Sequence, residues 1–213
     1  MYSQPSLWEE PKAESEKHGQ QLFLPDAEVI MYRDFFNRNE SNQIFAELYG
    51  TINWKQEVTL LFGKQVTIPR LTAWYGDAGK SYTYSKIKME PNLWTPTLIT
   101  IKSKIEAIAG TLFNSVLLNL YRDGKDSVSW HSDDEPELGE NPDIGSVSFG
   151  GTRRFMLRHK YQKEMKFEIQ LTPGSFLLMK GVTQHFWQHQ IPKVAKVNEP
   201  RINLTFRKVT SIN

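Results

Sequence analysis

The second half of the chain consists of short segments rich in β-branched and aromatic residues, and Gly, Pro, Asn and Asp separate them. The first group of residues favours strands, and the second favours the turns between strands. No helical pattern alternates with these segments, which indicates an antiparallel sandwich or jelly roll. Strands are predicted at Val116–Tyr121, Val147–Phe149, Arg154–Leu157, Phe167–Leu171, Ser175–Met179 and Arg201–Val209.

Two helices are predicted ahead of this β-rich region. The first is expected over Glu40–Tyr49, with Asn39 as its cap. The second is expected over Pro96–Ala109, because Thr95 is a favourable cap and Gly110 is a typical stop. We expect its apolar stripe to pack in the core; the stripe consists of Leu98, Ile101, Ile105 and Ile108.

The 213 residues suit one large domain. Residues 1–20 are polar and lack periodicity, so they are predicted to form a flexible arm. Residues 21–213 then form the domain, in which 21–114 supply helices and a lid and 115–213 supply the jelly-roll core. No apolar run approaches the ~18 residues of a membrane span, and no signal-peptide pattern begins the chain. We therefore expect a protein that is neither secreted nor in a membrane.

Cysteine is absent from the chain. Disulfide frameworks, cysteine-ligated zinc, iron–sulfur clusters and thiolate nucleophiles are therefore excluded. A metal site would have to use histidine and carboxylate ligands. The formal net charge of +2 does not identify a partner by itself.

The last predicted strand alternates polar and apolar side chains. One face carries Arg201, Asn203, Thr205 and Arg207, and the other face is apolar. This is either an ordinary strand with its polar side in water or the wall of a polar cavity. Asn119 and Tyr121 share one face of their own strand, so they could line the same cavity. Buried arginines would then require an anion, and a small dicarboxylate suits two separated guanidiniums.

His131 and Asp133 are two residues apart, so in an extended segment they project to the same side, as two ligands of one metal must. His18 lies in the predicted arm, and His159 lies in a basic stretch that is more typical of a surface, which leaves His185 or His189 as the third ligand. Two histidines and one carboxylate form the facial triad of non-haem Fe(II) oxygenases, with zinc as the rival metal.

These motifs together resemble those of the AlkB-type Fe(II)/2-oxoglutarate-dependent nucleic-acid dealkylases. The resemblance extends from about Phe62 to Val209, and the pattern R-x-N-x-T-x-R at 201–207 is its most specific part. Other segments resemble both the duplex-DNA branch and the single-strand branch of that family. The resemblance implies a mainly β fold of the α+β class: a double-stranded β-helix, or jelly roll, with N-terminal helices and a β-hairpin nucleotide-recognition lid.

The resemblance also implies roles for individual residues. His131, Asp133 and His189 would bind Fe(II), because the family's W-x-H element selects His189. Arg201 and Tyr121 would bind the far carboxylate of 2-oxoglutarate. The end of 2-oxoglutarate that chelates iron would contact three residues, and Thr205 shares their face; the three are Asn119, Asn203 and Arg207.

The implied reaction is the oxidative demethylation of 1-methyladenine and 3-methylcytosine in DNA or RNA. It consumes O₂ and 2-oxoglutarate and releases formaldehyde. One alternative is an Fe(II)/2-oxoglutarate hydroxylase of a protein or small molecule, and another is a binder of damaged nucleic acid without turnover. We expect a monomer located in the cytoplasm, or in the nucleus if the source is eukaryotic.

Several residues are candidates for recognising the flipped base. Asp134 and Glu135 would favour a cationic base, unless they merely solvate the loop. Tyr82 and Tyr84 would stack on the base, although such pairs are often routine strand aromatics. Because the family's substrates are methylated bases, the resemblance predicts that these four residues contact the base.

A second group of candidates would contact the rest of the nucleic acid. Phe62 lies between predicted strands at Glu57–Leu61 and Gln65–Leu71, so it would be an intercalating finger or else a core residue. Arg70 is expected to contact phosphate. Further phosphate contacts are expected from the basic stretch, at Arg153, Arg154, Arg158 and Lys160.

Overall fold

The structure is a computed structural model that describes residues 19–61, 63–78, 82–84, 87–89, 91–196 and 199–210. The helices are α1 (Arg38–Thr51), α2 (Pro96–Ala109) and the short α3 (Thr183–Phe186). The strands are β1 (Gln20–Leu22), β2 (Glu28–Tyr32), β3 (Val58–Leu61), β4 (Lys64–Thr67), β5 (Leu71–Gly76), β6 (Tyr82–Tyr84), β7 (Ile87–Met89), β8 (Ser115–Tyr121), β9 (Val128–His131), β10 (Ile144–Gly150), β11 (Arg153–His159), β12 (Lys166–Leu171), β13 (Phe176–Lys180), β14 (Trp187–Ile191) and β15 (Arg201–Arg207).

Two antiparallel sheets form the centre of the molecule. The larger sheet has the strand order β1-β2-β13-β10-β15-β8-β5, and the smaller has the order β12-β11-β14-β9. The sheets pack face to face, because Leu117 and Leu177 of the larger sheet share one apolar cluster with Leu157 and Leu171 of the smaller. This arrangement confirms the predicted jelly roll.

Helices α1 and α2 cover the other face of the larger sheet. Leu48 of α1 and Ile101 of α2 belong to the same apolar cluster as Val116, Leu118 and Leu120 of β8. The intervening residues of β8 point between the sheets, as strand alternation requires. One face of β8 therefore packs on the helices, and its other face lines the interior of the jelly roll.

The predicted limits of α2 are confirmed, whereas the predicted cap of α1 was wrong. Asn37, not Asn39, caps α1: its side chain accepts a hydrogen bond from the Glu40 backbone, and Glu40 returns one to the Asn37 backbone. This reciprocal pair needs the spacing of three residues that Asn37 and Glu40 have. Ile108 was predicted to be buried with the apolar stripe of α2, but it is 43% exposed. Ala109 is buried in its place.

The predicted hairpin is present as β3 and β4, joined by a turn in which Gly63 has φ 76°. The second predicted run was too long: β4 ends at Thr67, and β5 begins at Leu71 in the larger sheet. Pro69 separates them, since proline cannot donate a hydrogen bond to a sheet ladder. Phe62 lies outside the described residues.

Gln20, predicted as the last residue of the arm, pairs with Met31 in the β1–β2 ladder. Residues 1–18 of the predicted arm lie outside the described part of the chain. None of the described helices has the length and apolar character needed to cross a membrane.

Candidate functional site

Three predicted ligands meet at one end of the smaller sheet. The side-chain ligand atoms of His131, Asp133 and His189 lie within 4.8 Å of one another. His131 ends β9 and pairs directly with His189 of β14, and the two imidazole centroids are 4.3 Å apart. His185 lies on α3 with an exposed side chain, outside this cluster. The geometry therefore brings together the His189 alternative and not the His185 alternative.

Neighbouring groups orient each ligand of this triad. Nδ1 of His131 lies 2.8 Å from the Ser129 carbonyl oxygen, so it carries the proton and leaves Nε2 for a metal. Asp133 Oδ1 accepts a hydrogen bond of 2.8 Å from Arg207 Nη2, and the Asp133 backbone donates one to Gln184 Oε1. The loop is thus held from both sides.

The local electrostatics set the protonation states that a metal needs. Burial raises the pKa of Asp133, but the charges of Arg207, His189 and His131 outweigh it and lower the pKa to about 2. Burial, together with the charge of His131, lowers the pKa of His189 to about 3, against the opposing effect of Asp133. Burial also lowers the pKa of His131. One carboxylate and two neutral imidazoles are the ligand set of a facial Fe(II) triad.

The triad opens into a polar cavity between the two sheets. Its larger-sheet wall contains the side chains that strand alternation predicted, and β15 and β8 place them opposite one another: Arg201 pairs with Tyr121, and Asn203 pairs with Asn119. All seven residues of β15 are buried. The alternative of an ordinary half-exposed strand is therefore wrong, because both faces of β15 are covered.

Arg201 occupies the end of this cavity beside Tyr121, with its guanidinium carbon 5.2 Å from the ring centroid. Its Nη2 donates to Ser148 Oγ, while Nε and Nη1 are buried without a hydrogen-bond partner among the described residues. Burial lowers the pKa of Arg201 to about 10, against the opposing effect of Tyr121. Buried donors of this kind are costly unless they bind an acceptor, so the site fits a carboxylate.

The middle of the wall is a connected polar network. Asn203 Nδ2 donates to Ser146 Oγ and to the Val147 carbonyl, and Thr205 Oγ1 donates to Asn203 Oδ1. Asn119 Oδ1 accepts a hydrogen bond of 2.7 Å from Arg70 Nε. These side chains are held in place by one another while they face the cavity.

Arg70 is not the surface contact that the sequence suggested. It is 4% exposed, lines the cavity and also donates to the Ser127 carbonyl. Its guanidinium is therefore directed inward and is not available to backbone phosphate. The predicted contact of Arg70 with phosphate is therefore wrong. Arg70 instead belongs to the wall of the cavity.

The basic stretch was also only partly a surface. Arg153 is 2% exposed and donates to three backbone carbonyls, and His159 is 2% exposed. They share strand parity with buried residues of β11, which directs them inward. Three basic residues remain at least partly exposed, with partners within the protein: Arg154 with Glu168, Arg158 with Gln188, and Lys160 with Asp134.

Two of the predicted base contacts directly follow Asp133 in the chain, and the other two have side chains outside the described residues. Asp134 is 48% exposed, and its carboxylate lies 2.9 Å from Lys160 Nζ. Glu135 is partly buried. Tyr82 and Tyr84 lie on β6, but their side chains are outside the described residues. Their contacts with a base remain predictions.

Sequence reasoning missed three polar residues around the site. Ser146 and Ser148 hydrogen-bond Asn203 and Arg201, and Gln184 anchors the Asp133 backbone. The serines alternate with apolar residues on β10, so their parity was a usable signal. Gln184 gave no such signal, because its contact spans 51 residues of sequence.

The family model of the 2OG-Fe(II) oxygenase superfamily matches residues 28–207. The chain belongs to this superfamily. This membership implies Fe(II) as cofactor and 2-oxoglutarate and O₂ as co-substrates, and the His-Asp-His group is the matching ligand set. The match includes every strand of the two sheets except β1, and every residue of the cavity described above.

Two relatives show to which group of this superfamily the chain belongs. The chain is 47% identical to human alpha-ketoglutarate-dependent dioxygenase alkB homolog 3 over 190 residues. This alignment covers 85% of this chain and 66% of that protein. The chain is 38% identical to human DNA oxidative demethylase ALKBH2 over 188 residues. This alignment covers 84% of this chain and 72% of that protein. The chain is therefore an AlkB-type dioxygenase. It spans just under two thirds of the length of alkB homolog 3.

Solved structures show the same fold. OsALKBH1 matches with a TM-score of 0.63 at 12% identity, over 89% of this chain and 100% of that chain. A 2OG-Fe(II) oxygenase family oxidoreductase from Burkholderia pseudomallei matches with a TM-score of 0.56 at 13% identity, over 85% and 87% of the two chains. At these identities the likeness concerns the fold alone.

Proposed function

We propose that this AlkB-type dioxygenase removes N-methyl groups from bases in alkylated DNA or RNA, with 1-methyladenine and 3-methylcytosine as substrates. The observation that carries the proposal is the triad His131, Asp133 and His189, of which Asp133 and His189 are buried, at one end of a cavity that has Arg201 at the other. The name of one relative, DNA oxidative demethylase ALKBH2, supports a nucleic-acid substrate.

Each wall of the cavity has a part in this reaction. His131, Asp133 and His189 would hold Fe(II), and Arg207 keeps the Asp133 carboxylate ionised and oriented. When bound, Fe(II) with 2-oxoglutarate and O₂ supplies the oxidation of an N-methyl carbon, which leaves as formaldehyde, while 2-oxoglutarate yields succinate and CO₂.

The co-substrate would lie along β15. Its far carboxylate would accept hydrogen bonds from Arg201 beside Tyr121, and its metal-binding end would lie near Arg207, Asn203 and Asn119. Thr205 would act through Asn203, whose amide oxygen accepts its hydroxyl. Arg201 and Arg207 are the first and last residues of β15, and their two guanidiniums suit a ligand that has acidic groups at both ends.

The methylated base would enter from the hairpin side. A cleft beside His131 runs between Thr59, Ile68 and Trp130, and so joins the hairpin to the metal centre. We propose that Phe62 unstacks the duplex, that Tyr82 and Tyr84 stack on the flipped base, and that Asp134 and Glu135 favour its positive charge. We also propose that the protein is a monomer that acts in the cytoplasm, or in the nucleus if its source is eukaryotic.

The decisive assay measures formaldehyde and succinate from oligonucleotides that contain 1-methyladenine. Duplex DNA, single-stranded DNA and RNA form three arms, with Asp133→Ala as the inactive control. Formaldehyde in any arm that depends on 2-oxoglutarate supports the proposal. If no arm is demethylated while a protein or small molecule is hydroxylated, the alternative hydroxylase is correct; binding without succinate would indicate a non-enzymatic binder.

The same assay tests the finger. Phe62→Ala is expected to lose duplex activity and to retain most single-strand activity, because only a duplex must be unstacked. Full duplex activity in Phe62→Ala would remove the finger from the proposal and leave the dealkylase function intact.

A further inference from the structure

Arg153 is a buried arginine that the proposed reaction does not use. It is the first residue of β11 and is 2% exposed, yet it does not line the cavity. Its guanidinium carbon lies 5.5 Å from the centroid of the Tyr121 ring, and that of Arg201 lies 5.2 Å from the same centroid. Two buried guanidiniums therefore contact one phenol ring, one from within the cavity wall and one from outside it.

Three backbone carbonyls hold the Arg153 guanidinium in place. Nη1 donates to the Asp123 carbonyl at 3.1 Å, and Nη2 donates to the carbonyls of Asp126 and Pro192 at 2.9 and 2.7 Å. The first two belong to the loop between β8 and β9, and the third follows β14. A planar guanidinium can make these contacts together, whereas a lysine ammonium presents a single point of charge.

No carboxylate of the described residues forms a salt bridge with Arg153. The nearby Asp126 carboxylate is engaged by Arg122, whose Nε and Nη2 lie 2.7 and 2.9 Å from its two oxygens. The Arg153 side chain is therefore bound to neutral carbonyl groups. Its positive charge stays close to the Tyr121 end of the cavity, where an anion would be attracted.

We propose that Arg153 is a positioning residue for the far carboxylate of 2-oxoglutarate. It holds the Tyr121 ring against Arg201 and adds a second positive charge at that end of the cavity. The inference rests on the proposed co-substrate site, and it assigns to Arg153 a role in co-substrate affinity and not in metal binding or in the chemical step.

The test measures 2-oxoglutarate binding to the Mn(II)-loaded protein by titration calorimetry. Arg153→Met is expected to weaken binding about 10-fold, the scale of one desolvated cation–π contact. Mn(II) affinity is expected to stay unchanged, and kcat at saturating 2-oxoglutarate to stay within about twofold. Arg154→Met is the matched control: it is the next residue, lies on the outer face of β11 beside Glu168, and should bind 2-oxoglutarate like the wild type.

A double-mutant cycle separates positioning from general support of the fold. In a Tyr121→Ala background, Arg153→Met should weaken 2-oxoglutarate binding by only about two- to threefold, because the ring is already gone and only the effect of the positive charge is lost. Arg153→Lys keeps the charge without the planar contacts and is expected to give an intermediate affinity. It also serves if the methionine variant does not fold.

Three results would overturn the inference: wild-type affinity in both Arg153 variants, the same loss with and without Tyr121, or an equal loss of Mn(II) affinity. Failure of the wild-type protein itself to bind 2-oxoglutarate would contradict the proposed function, and this inference with it.

Discussion

Two arginine-bearing strands of this molecule, β15 and β11, use arginine in opposite ways. On β15, Arg201 and Arg207 share one face and are both buried in the cavity wall. On β11, Arg153 points inward while Arg154 and Arg158 point to the outer face. The difference teaches that the parity of an arginine on its strand, and not the local density of positive charge, decides whether it serves an internal anion or the surface.

The largest effect is expected for Arg207→Met, which removes a partner of a buried carboxylate. Asp133 is 1% exposed and would lose its hydrogen bond from Arg207. Its pKa would rise, and the free energy of unfolding would fall by roughly 3 to 5 kcal/mol. Urea denaturation measures the change, and Mn(II) titration should show weaker metal binding. An unfolding free energy equal to the wild type would show that the pair is not buried as described.

The second effect is expected for Arg201→Met, at the other end of β15. Its side chain donates to Ser148 and is otherwise available to an anion. Binding of 2-oxoglutarate to the Mn(II) protein should weaken about 100-fold, as for the loss of charged hydrogen bonds, while the free energy of unfolding changes by less than about 1 kcal/mol. A loss of stability with unchanged affinity would make Arg201 a structural residue.

The third effect is a dependence of stability on pH that comes from His189. Its pKa is about 3 in the folded protein and 6.5 in the unfolded chain, so the unfolded state binds more protons between those values. The free energy of unfolding of the metal-free protein therefore falls on acidification, by about 1.5 kcal/mol between pH 6.5 and 5.0 from this residue. Denaturation curves of wild type and His189→Asn at both pH values measure it.

The control for this pH dependence is His185→Asn, since His185 is exposed on α3. It should retain the wild-type change between pH 6.5 and 5.0, whereas His189→Asn should reduce it. Identical curves for all three proteins would mean that His189 is not held in its neutral form.

The smallest effect is expected for Arg154→Met, on the outer face of β11. Its salt bridge to Glu168 is 3.3 Å long and about half exposed, so the free energy of unfolding should change by less than about 0.5 kcal/mol. Activity on a methylated oligonucleotide at low salt measures whether this face contacts phosphate. A stability loss as large as that of Arg207→Met would erase the contrast between the two strands.

The sequence was sufficient for features that depend on local periodicity. The alternation of β15, the pairing of His131 with Asp133 and the limits of α2 are all visible within a few residues. The same logic would have placed Arg153 inside, because it shares parity with Phe155 and Leu157. The positive charge of this stretch favours a surface, but Arg153 is buried, so that expectation is wrong for this residue.

Features that depend on distant contacts could not be derived from local pattern. His185 and His189 are four residues apart, so parity does not distinguish them; α3 and the register of β14 against β9 do. Arg70 reaches Asn119 across 49 residues, and Gln184 reaches Asp133 across 51. The pairing of β5 with β8 brings Arg70 to Asn119, and α3 brings Gln184 to the Asp133 backbone.

The central claim is that His131, Asp133 and His189 hold a metal to which 2-oxoglutarate can bind. Anaerobic addition of Fe(II) and 2-oxoglutarate tests it most directly, because chelation of Fe(II) by a 2-oxo acid gives a visible charge-transfer absorption band. The account predicts this band for the wild type and for His185→Ala, and its loss in His189→Ala. A band that persists in His189→Ala, or that is absent from the wild type, would contradict the account.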